Sequence, residues 1–283
     1  MYPVLFYLPG GLPVFGYGLV LGCALALAAH LGAYLAERSG IPRSKVWTFA
    51  LIVIAVGFLG GRIHELIIQH ALTGAELLQL QHSGRTAYGG FLFATASAVI
   101  ASYALKIPFW KIVDAAAPGM ALGLGVARIG CFLFGCDYGF ISDRWGLAFP
   151  YGSPAWYDQV QAGMIPAEAS SSLPVFPAQL LASVVGFVLC GVLLRVWYRR
   201  PRRAGTVLLL FFLLYGLARA GLEQLRVDAG RGELLGLSTS TTIGLVTAAI
   251  AVALLLIPQL ARLRGDAGPI VDPPPEDGGK KAD

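Results

Sequence analysis

Three arginines, Arg62, Arg128 and Arg219, stand inside strongly apolar stretches of this chain. A charged side chain at the centre of a bilayer costs at least about 2.5–3.5 kcal/mol, so it is kept where it has a partner or a task. Their spacing puts all three at one level. Lys45 precedes Arg62 by 17 residues, Lys111 precedes Arg128 by 17, and Arg203 precedes Arg219 by 16. At about 1.5 Å of rise per residue, each guanidinium stands about 24–26 Å from one face of a hydrocarbon core about 30 Å thick. Tyr17 and Tyr88 reach a similar level, 21 residues before Arg38 and 18 before Lys106. Glu223 follows Arg219 by four residues and shares its helix face. Forked guanidinium donors suit a pair of phosphate oxygens, so the pattern suggests a pocket for an anionic lipid headgroup. The plainer explanation, that each arginine snorkels to the interface, leaves the matched depths unexplained. So do the small residues beside Arg128 (GVARIGC) and Arg219 (YGLARAG), which let helices approach closely.

Positioning three such groups requires spanning helices, and the composition supplies them. Of 283 residues, 56% are hydrophobic and 13% charged, against about 25% charged in an ordinary soluble domain. Seven apolar stretches are long enough for a bilayer crossing, at about 14–35, 46–70, 88–105, 112–135, 175–197, 205–225 and 238–258. The expected fold is an all-α integral membrane protein of seven transmembrane helices. Ten of the 21 Lys and Arg fall in the connections 36–45, 106–111 and 195–203, while the alternate connections hold four. Basic connections stay inside, so the N-terminus is expected out and the C-terminus in. Charges sorted in this way report topology, and the net charge of +5 implies no nucleic-acid partner. Residues 1–260 form the expected membrane domain, with a small external cap at 136–174 between helices 4 and 5. The Pro/Gly-rich, charged stretch 261–283 is expected to be a disordered cytoplasmic tail.

At this point the residues resemble the prolipoprotein diacylglyceryl transferase family. The motifs run in the family's order: YGLVLG (17–22), FLGGRI (58–63), YGG (88–90), LGVARIGCFLFGCDYG (124–139), FPAQL (176–180), YGLARAGLEQLR (215–226) and GLSTS (236–240). The resemblance implies a multi-pass protein of the bacterial cytoplasmic (inner) membrane. Such an enzyme moves a diacylglyceryl group from phosphatidylglycerol to the lipobox cysteine of a preprolipoprotein, releasing glycerol-1-phosphate. It implies no metal and no cofactor. The partners it implies are phosphatidylglycerol, lipobox-containing preprolipoproteins and membrane lipids. Carried over residue by residue, it gives Arg128, Arg219, Tyr88 and Tyr215 as catalytic. Arg62, Tyr17, Gly89, Gly90, Gly130, Gly139, Gln179, Glu223 and Arg226 are given as substrate-binding.

The chain departs from the family pattern at three places. Tyr88 stands where the family has His, and a phenol with a pKa near 10 is a weak general base at neutral pH. Cys131 and Cys136 stand where the family has Asn and Glu, which removes an amide and a carboxylate near the phosphate site. The segment from Phe176 to Ala182 keeps Pro177 and Gln179 but loses the family's polar ends. Cys131 and Cys136 read first as small packing residues. At i,i+5 they point about 140° apart on a straight helix, so a disulfide requires the helix to end between them, which Gly135 permits. Two further functions follow from these departures: a membrane thiol oxidoreductase using Cys131 and Cys136, and a non-catalytic paralogue that binds anionic lipid. His30, His64, His70 and His82 fit no metal-ligand spacing.

Overall fold

The computed structural model describes residues 4–9, 11, 13–68, 87–199, 203–227, 233–234, 236–257 and 265–270. Eight helices lie among them: α1 (Gly16–Glu37), α2 (Arg43–Ile68), α3 (Ala87–Ala104), α4 (Phe109–Phe134), α5 (Pro154–Gln161), α6 (Ala178–Tyr198), α7 (Thr206–Glu223) and α8 (Thr239–Leu256). Six of them (α1, α2, α4, α6, α7 and α8) are long and apolar enough to cross a membrane. Helix α3 is apolar over the shorter stretch Gly89–Ala104. Two short antiparallel hairpins, β1 (Val4–Tyr7) with β2 (Pro13–Phe15) and β3 (Glu233–Leu234) with β4 (Leu237–Ser238), are additions that apolar periodicity did not announce.

Helix α4 is the hub. It packs along α1 on one side and α6 on the other, and also touches α7 and α3. Away from α4, α2 packs along α3 and α7 along α8, with lighter contacts between α6 and α7 and between α1 and α2. Small residues make these approaches possible. A methyl group on Gly216 of α7 would lie 2.3 Å from the Gly244 carbonyl of α8, so only glycine lets the two backbones meet there.

The apolar core is concentrated toward one end. Leu35 and Ala36 of α1, Val46 and Phe49 of α2, Ala115 and Ala117 of α4, Leu193 and Trp197 of α6, and Val207 and Phe211 of α7 share one buried cluster. These are the helix ends that meet the basic connections. Buried in the same region, Asp114 accepts the Gly205 and Leu208 N–H groups at 2.6 and 2.9 Å. It caps the first turn of α7 by satisfying two of the donors that a helix start leaves open. Residues 265–270 also pack at this end: Ala204 N–H donates to the Gly265 carbonyl at 3.0 Å, and Ala267 is buried. That narrows the expected disorder of 261–283, because these backbone groups find partners on the approach to α7.

At the opposite end, α4 and α6 are joined by a long connection with its own small core of Tyr138, Phe149, Ala155 and Val175. Ser153 caps α5 by accepting the Trp156 N–H, and Tyr138 donates to Asp158 at 2.7 Å. Single bridges, such as Ile141 with Val175, hold the rest. Trp145, Tyr151 and Tyr157 are exposed on it.

Candidate active site at the ends of helices α4 and α7

The end of α4 sets the geometry. Gly135 adopts φ +89°, and its N–H and that of Cys136 both return to the Cys131 carbonyl, at 2.8 and 3.2 Å. A left-handed residue closing a helix in this way favours glycine. Asp137 follows at φ +58°, a conformation that Asp and Asn tolerate better than most residues. The double reversal turns the chain back, and the Asp137 carboxylate pairs with Arg128 nine positions earlier.

Asp137 also accepts from Arg226 Nη2 at 2.5 Å. Arg226 sits just past the end of α7, where its Nη1 lies 3.9 Å from Glu223. Glu223 in turn binds Arg219 at 2.9 Å, and Arg219 reaches Ser240 Oγ on α8 at 3.2 Å. A continuous chain of charge therefore runs from Arg128 through Asp137, Arg226 and Glu223 to Arg219. Burial pushes the Asp137 carboxyl up, but the guanidiniums of Arg128 and Arg226 outweigh it and hold the group below the ordinary carboxylate range.

Around this chain stand residues singled out from the sequence. Tyr215 lies against the Arg128 guanidinium and stacks on Phe211, ring centroids 5.5 Å apart. Tyr17 of α1 flanks Gly130 and Phe134, and a methyl on Gly130 would touch its ring at 3.4 Å. Gly139 donates to the Phe176 carbonyl at 2.8 Å and bridges to Arg226. Gln179, 1% exposed, donates from Nε2 to the Cys136 carbonyl at 2.7 Å and so pins the turn that carries Asp137.

The other expected site residues lie on the α2–α3 pair. Arg62 is 7% exposed on α2 and is not a partner in the ion pairs just described. Gly89 presses on α2 so closely that a methyl there would sit 2.2 Å from His64 Cβ, and Gly90 faces Gly57. The side chain of Tyr88, together with His70 and His82, lies outside the described residues.

Sequence reasoning missed Asp137. Replacement of the family's Glu by Cys136 led to the expectation that a carboxylate was lost; one residue later, the left-handed turn supplies another. The signal was present as an acidic residue directly after a glycine-ended helix. The cysteines also meet: Cys131 Sγ, Cys136 Sγ and an Asp137 oxygen lie within 4.8 Å of one another, both thiols free. Arg128 Nη1 is 3.9 Å from Cys131 Sγ. The helix end that a Cys131–Cys136 approach requires is therefore present.

Comparison with known proteins points one way. The family model of prolipoprotein diacylglyceryl transferase matches residues 3–257. A phosphatidylglycerol–prolipoprotein diacylglyceryl transferase of Clostridium tetani is 31% identical over 255 residues, covering 89% of this chain and 96% of that protein. The second such transferase of Clostridium perfringens is 27% identical over 260 residues, covering 90% and 94%. The Symbiobacterium thermophilum enzyme of that name is 28% identical over 224 residues, covering 78% and 80%.

Proposed function

Because the chain belongs to the prolipoprotein diacylglyceryl transferase family, we propose that it transfers a diacylglyceryl group from phosphatidylglycerol to the lipobox cysteine of a preprolipoprotein. One observation carries the reading to this chain's own residues. Three guanidiniums (Arg128, Arg219, Arg226) face two carboxylates (Asp137, Glu223), leaving one positive charge in excess. A phosphodiester headgroup with a single negative charge would neutralise that excess. A zwitterionic headgroup, which carries its own cation, would not.

In the proposed arrangement the chain crosses the bacterial cytoplasmic membrane seven times, α3 included, with the N-terminus out and the C-terminus in. Residues 1–260 form the membrane domain, and 136–174 cap the external side. The site then faces the side on which lipid and exported thiol meet. Arg128 and Arg219 hold the phosphate oxygens, with Tyr215 and Tyr17 along the pocket. The acceptor thiol loses its proton and attacks the glyceryl carbon, the carbon–oxygen bond to phosphate breaks, and glycerol-1-phosphate leaves carrying the electron pair. Charge grows on phosphate as that bond breaks, and donors fixed in place beforehand stabilise it most where water is excluded. Asp137, held ionised between two guanidiniums, orients the arginines and is no base.

Expression in cells depleted of their own transferase tests this. A model preprotein should gain the mass of a diacylglyceryl group. Lipid binding without that gain would make the chain a non-catalytic lipid-binding paralogue and refute the reading.

A further inference from the structure

We infer that Cys131 and Cys136 form a reversible modification site, a dithiol that closes to a disulfide and thereby regulates the neighbouring arginine cluster. The inference rests on the proposed external location of the site, where disulfides persist.

The geometry is specific. On a continuing helix the two side chains would diverge; here the helix stops at Gly135, and the N–H groups of Gly135 and Cys136 both fold back onto the Cys131 carbonyl. The sulfurs come within 4.8 Å of each other. Cys136 is half-buried, which lets a small reagent reach the pair, and Cys131 is buried. Cys23 and Cys190 lie on α1 and α6, so neither belongs to this turn. A metal is the poorer occupant. Asp137 is already engaged by two guanidiniums, and two sulfurs alone do not close a structural site.

The chemistry requires an oxidant, here a low-molecular-weight disulfide. One of the two cysteines, as thiolate, attacks one sulfur of the reagent and displaces a thiolate. The other then attacks its partner's sulfur in the mixed disulfide and displaces the second. The protein gives up two protons and two electrons, and the reagent leaves as two thiols. An S–S bond is about 2.05 Å long, so closure draws the sulfurs together. It shifts Cys131 against Arg128 and pulls on the residue that precedes Asp137. Both ends of the Arg128–Asp137 pair are thus tied to the redox state of one turn.

The full chain, purified in detergent, is treated with glutathione disulfide and then with dithiothreitol. Intact mass and maleimide labelling after denaturation count the thiols, and transfer to a model preprotein is measured in each state. The expected result is a loss of two hydrogens mapped to Cys131 and Cys136, with Cys23 and Cys190 still labelled. Transfer should fall on the order of tenfold and return on reduction. The ratio of oxidised to reduced rates should be near one in Cys131→Ala/Cys136→Ala, whatever its absolute rate. A stable glutathione adduct without the internal bond overturns the inference, and so does a disulfide that leaves transfer unchanged. If neither state transfers, the transferase reading fails and the regulatory claim falls with it, while the mass measurement still decides the disulfide.

Discussion

Asp137 and Arg226 meet at 2.5 Å although 89 positions separate them, so the turn after α4 is tied directly to the end of α7. Because the same carboxylate holds Arg128, its removal leaves two guanidiniums without a common counter-charge. Asp137→Asn should lower kcat/KM for transfer on the order of tenfold, while Asp137→Glu retains more. Stability should fall by about 1–3 kcal/mol, below the loss for a fully buried pair because the side chain stays 23% exposed. Transfer kinetics of the two variants beside the wild type read the first effect, and denaturant titration reads the second.

The depressed Asp137 value fixes the sign of a pH effect. A carboxyl whose folded pKa lies below its unfolded one contributes in full above the ordinary value of about 3.9 and loses that contribution as pH falls through the folded value. The stability difference between wild type and Asp137→Asn should therefore be flat from about pH 5 to 8 and shrink below about pH 4. A difference that grew with acidification would contradict the pairing.

Gln179→Leu removes the donor that holds the Cys136 carbonyl at 2.7 Å. Leaving a buried acceptor unpaired costs about 1–3 kcal/mol. Transfer should fall with stability, and Gln179→Glu should not rescue it, because an ionised carboxylate has no N–H to offer. Thermal unfolding beside transfer rates is the measurement.

Gly216→Ala places a methyl 2.3 Å from the Gly244 carbonyl. The shift of α8 that follows would cost about 1–3 kcal/mol and carry Ser240 away from Arg219. Gly221, with open space around its missing side chain, is the control: Gly221→Ala should be close to neutral. Thermal midpoints in detergent separate the two.

Arg128→Ala and Arg219→Ala should each reduce transfer by about 10²-fold or more. Lysine at either site should restore little, because an ammonium cannot make the forked contact. The assay is kcat at saturating phosphatidylglycerol, with unfolding curves to confirm that the variants fold.

Much of the scaffold was legible in the order of residues. The stretches 112–135 and 205–225 correspond to α4 (Phe109–Phe134) and α7 (Thr206–Glu223), because apolar runs bounded by charge leave little freedom in placing a spanning helix. Arg219 and Glu223 at i,i+4 do form a pair, as their shared face requires. What could not be read was the part that depends on backbone reversal. Two closely spaced departures from helical geometry, at Gly135 and Asp137, decide that a loop carboxylate lands on Arg128 and that two cysteines meet. Spacing along an ideal helix contains neither event. The ends of the two hairpins were hidden for a similar reason: strands of two to four residues carry too little periodicity to register.

The glycine crossings bear on how such a chain can change over time. Outward-facing positions such as Leu51, Ile100 and Val188 answer only to a demand for apolarity, so exchange among aliphatic side chains is cheap there. Gly89 and Gly216 have no substitute of equal size. Change therefore has most of the perimeter to wander through and very little room at these seams, where one added methyl meets backbone or a neighbouring side chain.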